Sequence, residues 1–115
     1  MRYLKTYEER VTNEKYLIIS CDKLEFYRLQ EMFLNNKIYW LDGHGNLDQQ
    51  PKSFKNYIKG IIYQLDSNSI IYTGIEAPML PLKIGYGKYI FCKSEDIKNI
   101  NDLNIKIEAN KLGLL

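Results

Sequence analysis

The stretch from Lys15 to Gly43 constrains the fold more than any other part of the chain. It opens with Tyr16 to Cys21, an unbroken run of large and β-branched residues that is too short for a helix. Such a run predicts a strand covered on both faces. The stretch closes with Lys37 to Asp42, where side chains alternate in the manner of a second strand.

The residues between these two strands carry the signals of a helix. Asp22 followed by Glu25 predicts a capping box at its start, and Asn35 with Asn36 predicts its end, since asparagine tolerates the left-handed conformation. The apolar positions recur on one side: Phe26, Leu29, Met32 and Phe33. A helix of about 14 residues rises about 20 Å. We therefore expect two parallel strands joined by a right-handed crossover, either adjacent or with another strand between them.

The remainder of the chain predicts further short elements. They are a helix from Pro51 to about Lys59, a hairpin of Ile61–Leu65 and Ile70–Thr73, a strand Lys88–Lys93, a short helix Ser94–Ile100 and a final strand Ile105–Glu108. Together they predict an α+β domain in which a mostly antiparallel sheet carries helices on one face, in a ferredoxin-like or split arrangement. Residues 1–14 are expected to form an N-terminal arm or a short helix, and residues 15–115 a single domain.

Composition excludes several classes of protein. With 115 residues, 45% hydrophobic and 26% charged, the chain has the size and balance of one globular domain. A net charge of +2 gives no strong field for nucleic acid or an anionic membrane, and no apolar run resembles a signal peptide or a membrane span. We expect a cytoplasmic protein in which Cys21 and Cys92 are free thiols, although the sequence leaves a disulfide between them open.

Catalysis has three candidate residues. His44, the only histidine, lies in a glycine-flanked loop after a predicted strand, with Asp42 nearby, and Cys21 precedes a predicted helix. A lone histidine lacks a second ligand or an orienting partner, so a solvent-exposed loop residue with acidic neighbours is favoured for His44. Asp22 opposes activation of the thiol, so a buried structural cysteine is favoured for Cys21. Neither Gly43-His44-Gly45 nor Gly85-Tyr86-Gly87 extends to a phosphate-binding motif, and paired-cysteine zinc spacing is absent. We predict no cofactor and no metal, and a small enzyme or ligand-binding domain centred on His44 is an alternative.

Lysines on one side of the predicted helix suggest a second alternative, a weak nucleic-acid binder. Lys52, Lys55 and Lys59 would form a basic face beside Tyr57 and Tyr63, on which bases could stack. Three lysines give little affinity from counterion release, so an ordinary solvated face is favoured.

A protein-binding role is the preferred hypothesis. Ten tyrosines are more than a chain of this size needs for its core, and aromatic residues and methionine populate interface cores. The proline- and glycine-rich crossing Ala77–Gly87 holds apolar residues in an irregular segment. The candidate partner-binding residues are Met79, Leu80, Leu82 and Tyr86 in that segment, together with Tyr39. The partner is another protein or a second copy of this chain.

Two stretches also resemble known sequences. The opening MRYLKTYEE, and the succession of KYLIISCD, a helix and IYWLDG, resemble small uncharacterised α/β proteins encoded by tailed bacteriophages. The resemblance covers about the first 43 residues and includes no catalytic motif. It implies an accessory role, or an action on a host protein in the host cytoplasm.

Overall fold

The computed structural model describes residues 15–74 and 88–111. Within these ranges the strands are β1 (Lys15–Ser20), β2 (Tyr39–Leu41), β3 (Leu47–Asp48), β4 (Gly60–Gln64), β5 (Ser69–Thr73) and β6 (Lys88–Lys93). The helices are α1 (Lys23–Asn35) and α2 (Ile100–Lys111), and a 3-10 turn spans Ser94–Asp96. The predicted arm of residues 1–14 lies outside the described residues.

The strands form one mixed sheet in the order β3-β2-β5-β4-β1-β6. Three neighbouring pairs are antiparallel, whereas β1–β6 and β2–β5 are parallel. The predicted α+β domain with a mostly antiparallel sheet is therefore confirmed. β1 and β2 run in the same direction, as predicted, but both β5 and β4 lie between them. The opening unit is thus split, and the six-stranded sheet is larger than that of a ferredoxin-like β-α-β-β-α-β unit.

Helix α1 begins where the sequence predicts. Asp22 Oδ1 accepts a hydrogen bond from the amide of Glu25 at 3.0 Å, which satisfies one free donor of the first turn. Glu25 does not complete the predicted capping box, because its carboxylate pairs with Arg28 instead. At the other end the left-handed residue is Lys37, with φ of 61°, and not an asparagine. The side chain of Asn36 contributes differently, donating to the carbonyl of Met32 at 2.7 Å.

Both helices pack on the same face of the sheet, as predicted. The first buries three side chains completely, Phe26, Leu29 and Phe33, and the second contributes Leu103 and the partly buried Ile107. They meet the residues of the strands that point to this side: Leu17, Ile19, Ile61, Tyr63, Ile70, Ile90 and Trp40. Burial of this set supplies the main hydrophobic core, with the sheet as its floor.

The predicted helix from Pro51 to Lys59 is wrong. The structure has no helix among these residues and only one turn, at Asn56 and Tyr57. Gly60, which follows the predicted helix, is the first residue of β4. Contacts to α1, described below, fix the segment in this form.

The predicted order of elements after β6 is also wrong. The helix expected over Ser94–Ile100 is only a 3-10 turn, and the strand expected at Ile105–Glu108 lies inside α2. Two side chains cap the start of α2. Asn99 Oδ1 accepts from the amide of Asn101 at 2.9 Å, and Asp102 Oδ2 accepts from that of Lys98 at 2.8 Å. The apolar residues Ile100, Leu103 and Ile107 then share one side of the helix.

Candidate functional site

The segment from Pro51 to Lys59 is fixed to α1 by two side chains. Gln30 is buried, and its Oε1 accepts from the Lys52 amide at 2.6 Å while its Nε2 donates to the Lys52 carbonyl at 3.1 Å. The hydroxyl of Tyr27 accepts from the Phe54 amide at 2.9 Å. The side-chain amide of Gln30 thus bonds both the N–H and the C=O of Lys52, as the backbone of a neighbouring strand does in a sheet. These bonds outweigh the helix propensity of the segment.

A chain of aromatic rings leads from the core to the surface beside this segment. Phe26 and Trp40 are buried and stacked, with ring centroids 5.8 Å apart. Trp40 contacts Tyr72 at 6.0 Å, and Tyr72 contacts Tyr57 at 6.3 Å. On the other side Phe26 contacts Tyr27 at 5.5 Å. The outer rings are exposed by 40% (Tyr27), 56% (Tyr57) and 37% (Tyr72), and we call these three residues the tyrosine surface.

A cleft of about 320 Å³ opens next to the tyrosine surface. It lies where β2 and β5, which are parallel neighbours, reach their carboxyl ends. The chain leaves β2 toward one edge of the sheet and leaves β5 toward the other, so this is a topological switch point, the usual place for a binding crevice in an open sheet. The lining residues are Trp40, Leu41, Asp42, Gly43, Lys52, Ile71 and Tyr72.

The charges of the cleft are largely set by the loop after β2. Asp42 Oδ1 accepts from the amides of Asn46 and His44, each at 2.8 Å, and these bonds hold the pKa of the Asp42 carboxyl below its usual range. The Lys52 ammonium lies 3.9 Å from a carboxylate oxygen of Asp48, a long contact for an ion pair. The cleft therefore presents one ordered carboxylate and one weakly paired ammonium.

Tyr57 and Tyr72, the two exposed tyrosines nearest the cleft, are in ring contact. A side-chain hydrogen bond to Tyr72 raises the pKa of the Tyr57 phenol. The rings of Tyr57 and Tyr72 lie 6.3 Å apart, and both residues are exposed, so each combines an apolar ring with a polar hydroxyl at the surface. Such a pair can bind an apolar side chain and still offer a hydrogen bond.

The three candidate catalytic residues do not share one cleft. Asp42 lines it, His44 is exposed in the neighbouring loop and is not part of the lining, and Cys21 follows β1. β1 and β2 are three strand spacings apart, which is roughly 14 Å. Burial, with a smaller effect of the Asp22 carboxylate, raises the pKa of the Cys21 thiol to about 12, so the reactive thiolate is scarce. Cys21 and Cys92 are both free, and no group of residues able to hold a metal ion occurs in residues 15–74 and 88–111.

The three candidate nucleic-acid-binding lysines lie along the anchored segment and not on a helix. Lys52 lines the cleft, while Lys55 and Lys59 are exposed. The backbone of Lys59 joins the segment to the sheet, since its amide donates to the Thr73 carbonyl at 2.7 Å. Tyr57 lies between the two exposed lysines in the sequence and is itself exposed, whereas Tyr63 is buried in the core.

The candidate partner-binding residues are only partly described. Tyr39 is half-buried and lies on the face of the sheet away from the helices, because it precedes the inward-pointing Trp40. Met79, Leu80, Leu82 and Tyr86 lie outside the described residues. Within the described ranges, no helix has the length and apolar character needed to span a membrane.

Two members of the tyrosine surface escaped prediction. Tyr27 sits in the first half of α1 beside the buried Phe26, and Tyr72 alternates with its neighbours in β5. Their sequence positions are 45 residues apart, and the ring contacts of Phe26 and Trp40 connect them in the fold. Comparison with protein-family models, curated proteins and solved structures finds no match for this chain.

Proposed function

We propose that this protein is a small protein-binding module that contacts its partner through the tyrosine surface and the adjoining cleft. The observation that carries the proposal is the set of three exposed tyrosine rings on a scaffold held by Gln30 and by the buried Phe26–Trp40 stack. Tyrosine gives a large contact area at small cost in conformational entropy, which is why it dominates the energetic centre of many interfaces.

The cleft limits the chemistry of the partner. Its volume of about 320 Å³ is at the lower end of ligand pockets, so it fits one inserted side chain better than a large cofactor. The Lys52 ammonium, weakly paired at 3.9 Å, favours a carboxylate near that inserted side chain. We therefore expect a partner segment with an apolar or aromatic anchor next to an aspartate or glutamate.

A comparative pull-down tests this assignment. The tagged protein would be incubated with lysate of its native host, in parallel with a Tyr57→Ala/Tyr72→Ala variant and a Leu24→Ala/Ile105→Ala control. The control removes two side chains that are exposed by 82% and 64% on the helices, away from the cleft. We expect the wild type and the control to retain the same stoichiometric protein, and the tyrosine variant to lose it.

Measured with the purified partner, each tyrosine should contribute about tenfold or more in affinity. Equal binding by the tyrosine variant would overturn the proposal, provided that its circular dichroism matches that of the wild type. The resemblance to small phage-encoded proteins makes a host protein the partner to look for first.

A second candidate function, binding of single-stranded nucleic acid, is favoured by the position of Tyr57 between the exposed Lys55 and Lys59. A fluorescent oligothymidine or oligouridine would then bind with an affinity that falls steeply with salt. Retention of a protein partner at high salt, together with no change in anisotropy of either oligonucleotide, would decide for the protein-binding module.

A further inference from the structure

The tyrosine surface and its cleft carry the same groups that the cleft favours in a partner. The cleft favours an aromatic or apolar anchor and a carboxylate, because Trp40 and Tyr72 line it together with Lys52. Next to the cleft, Tyr57 contacts Tyr72 at 6.3 Å and is exposed by 56%, so it is an aromatic anchor of this kind. Asp42, which also lines the cleft, supplies a carboxylate. Receptor groups and matching groups therefore lie on one face.

The Asp42 carboxylate is ionised and held in position. Its Oδ1 accepts from the amides of His44 and Asn46, each at 2.8 Å, and these bonds lower the pKa of the carboxyl. A carboxylate has about four acceptor positions, so this group can still accept from an ammonium. Because the backbone amides already fix the side chain, pairing with a cation costs little further conformational entropy.

The Lys52 ammonium is suited to the opposite role. Its main chain is fixed, since the Gln30 side chain bonds both the amide and the carbonyl of Lys52. Its side chain is 34% exposed, and its contact with the Asp48 carboxylate is 3.9 Å long. An exposed pair at this distance contributes little to stability, so exchanging Asp48 for another carboxylate costs little.

A face that carries both charges is complementary to itself. In a two-fold dimer each contact between two different residues occurs twice, once in each direction. Two copies of this face can therefore place each Lys52 against the Asp42 of the other copy, whereas a face of one sign would bring like charges together. The cleft of about 320 Å³ has room for one ring, such as that of Tyr57 from the other copy.

We infer that the tyrosine surface and the cleft bind the same surface of a second copy of this chain, with Lys52 paired to Asp42 and Tyr57 in the opposite cleft. This assignment rests on the proposed function, because the second copy occupies the surface assigned there to a protein partner. Another protein then binds in competition with the second copy. The surface has fewer residues than the roughly 20–30 a side of a stable interface, so the dimer is weak and reversible.

Sedimentation equilibrium of the purified protein, from about 10 μM to about 1 mM, measures this association. We expect the average mass of the wild type to rise above that of the monomer as the concentration increases. Tyr57→Ala/Tyr72→Ala should dimerise at least about tenfold more weakly. Leu24→Ala/Ile105→Ala, with two exposed side chains on the helices replaced, should match the wild type. A wild type that stays monomeric throughout, or a tyrosine variant that dimerises equally well, would refute the inference.

A double-mutant cycle tests the pairing of Lys52 with Asp42, and it also keeps the inference testable if the tyrosine variant fails to fold. Asp42→Asn removes the charge and retains an acceptor oxygen for the loop amides. Lys52→Gln removes the ammonium and leaves the backbone bonds to Gln30 in place. We expect each change to weaken the dimer about three- to tenfold, because two equivalent pairs are lost, and the double variant to be no weaker. Independent effects that multiply in the double variant would show that the two side chains do not pair across the interface.

The sedimentation and pull-down experiments distinguish a wrong dimer from a wrong function. A monomeric wild type that still retains a host protein through its tyrosines would refute the dimer alone. A tyrosine-dependent dimer that retains no host protein would support the dimer and contradict the binding of a host protein. Tyrosine replacements without effect in either experiment would refute both.

Discussion

Gln30 shows how much one buried polar side chain can hold in place. Its Oε1 accepts both from Trp40 Nε1 and from the Lys52 amide at 2.6 Å, and its Nε2 donates to the Lys52 carbonyl. The sequence pattern places Gln30 among the polar residues of the helix, outside its apolar side. In the structure its hydrogen bonds connect α1 to β2 and to the segment that carries Tyr57. The sequence could not predict these bonds, because the partners of Gln30 are 10 and 22 residues away.

Replacement of Gln30 by alanine should therefore be costly. The buried indole N–H and the Lys52 amide and carbonyl would lose their partners, at an expected total of about 2–4 kcal/mol in the free energy of unfolding. Urea denaturation measures the change. Glu31→Ala, an exposed substitution one position further along α1, is the control and should stay within about 0.5 kcal/mol of wild type. A Gln30→Ala variant as stable as this control would contradict the account of the joint.

The two cysteines should make stability fall at alkaline pH. Burial raises the pKa of Cys21 to about 12 and that of Cys92 to about 11, whereas unfolded thiols titrate near about 8.5. The folded chain then holds these protons to a higher pH than the unfolded chain. The stabilising contribution is complete below about pH 8.5 and is lost as pH rises toward 11 and 12.

Urea midpoints at pH 8 and pH 10 check this expectation. The wild type should lose more stability between these two values than the Cys21→Ala/Cys92→Ala variant does. At pH 8 a disulfide reagent should label the native thiols much more slowly than the denatured ones. Rapid labelling of the native protein would show that the thiols are not held neutral by burial.

At the scale of elements, the sequence predicts correctly those helices and strands that carry their own local pattern. α1 follows from Asp22 and its apolar spacing, and β1, β4 and β5 follow from short apolar runs, because each of these carries its own pattern. The segment Pro51–Lys59 and helix α2 were assigned wrongly for opposite reasons. In the first, bonds from Tyr27 and Gln30 override the helical pattern. In the second, Asn99 and Asp102 cap the start of a helix that includes the predicted strand Ile105–Glu108.

Gly60 offers a test of how closely the first residue of β4 approaches β1. A Cβ atom at this position would lie 2.6 Å from the Ile19 carbonyl oxygen, a backbone atom that cannot move aside without shifting the strand. We expect Gly60→Ala to destabilise the fold by about 1–3 kcal/mol in chemical denaturation. Gly43→Ala places its methyl group in open space and serves as the matched control, with little change. Similar midpoints for the two variants would argue against the close pairing.

At the scale of the whole molecule, the sequence predicted the class of fold but not the order of its strands. The separation of β1 from β2 by two later strands depends on pairings between residues up to 48 positions apart, such as Tyr16 with Gln64. The candidate site depends on the same strand order. The sequence identified Tyr57 as an aromatic residue next to lysines, but it did not predict that Tyr57 contacts Tyr72. Local sequence patterns suggest candidate residues for a site, whereas the strand order determines which of these residues are in contact.

The sheet should open from its β3 edge. β3 pairs with β2 over two residue pairs, and β2 with β5 over two, whereas β1 and β4 share five. Amide hydrogen exchange should accordingly be slowest in β1 and β4 and orders of magnitude faster in Leu47 and Asp48. Equal protection of β3 and β4 would show that side-chain contacts around Trp40 compensate for the short ladders.

The position of β1 in the sheet also governs how this chain can fold as it is synthesised. β1 leaves the ribosome before its two neighbours in the sheet, β4 and β6, and the second of these begins 73 residues later. Until both neighbours have emerged, the apolar residues Tyr16 to Ile19 remain unpaired and exposed to aggregation. Nascent chains that end before residue 88 should therefore depend on chaperones or aggregate, and the native sheet should close only after β6 has been made.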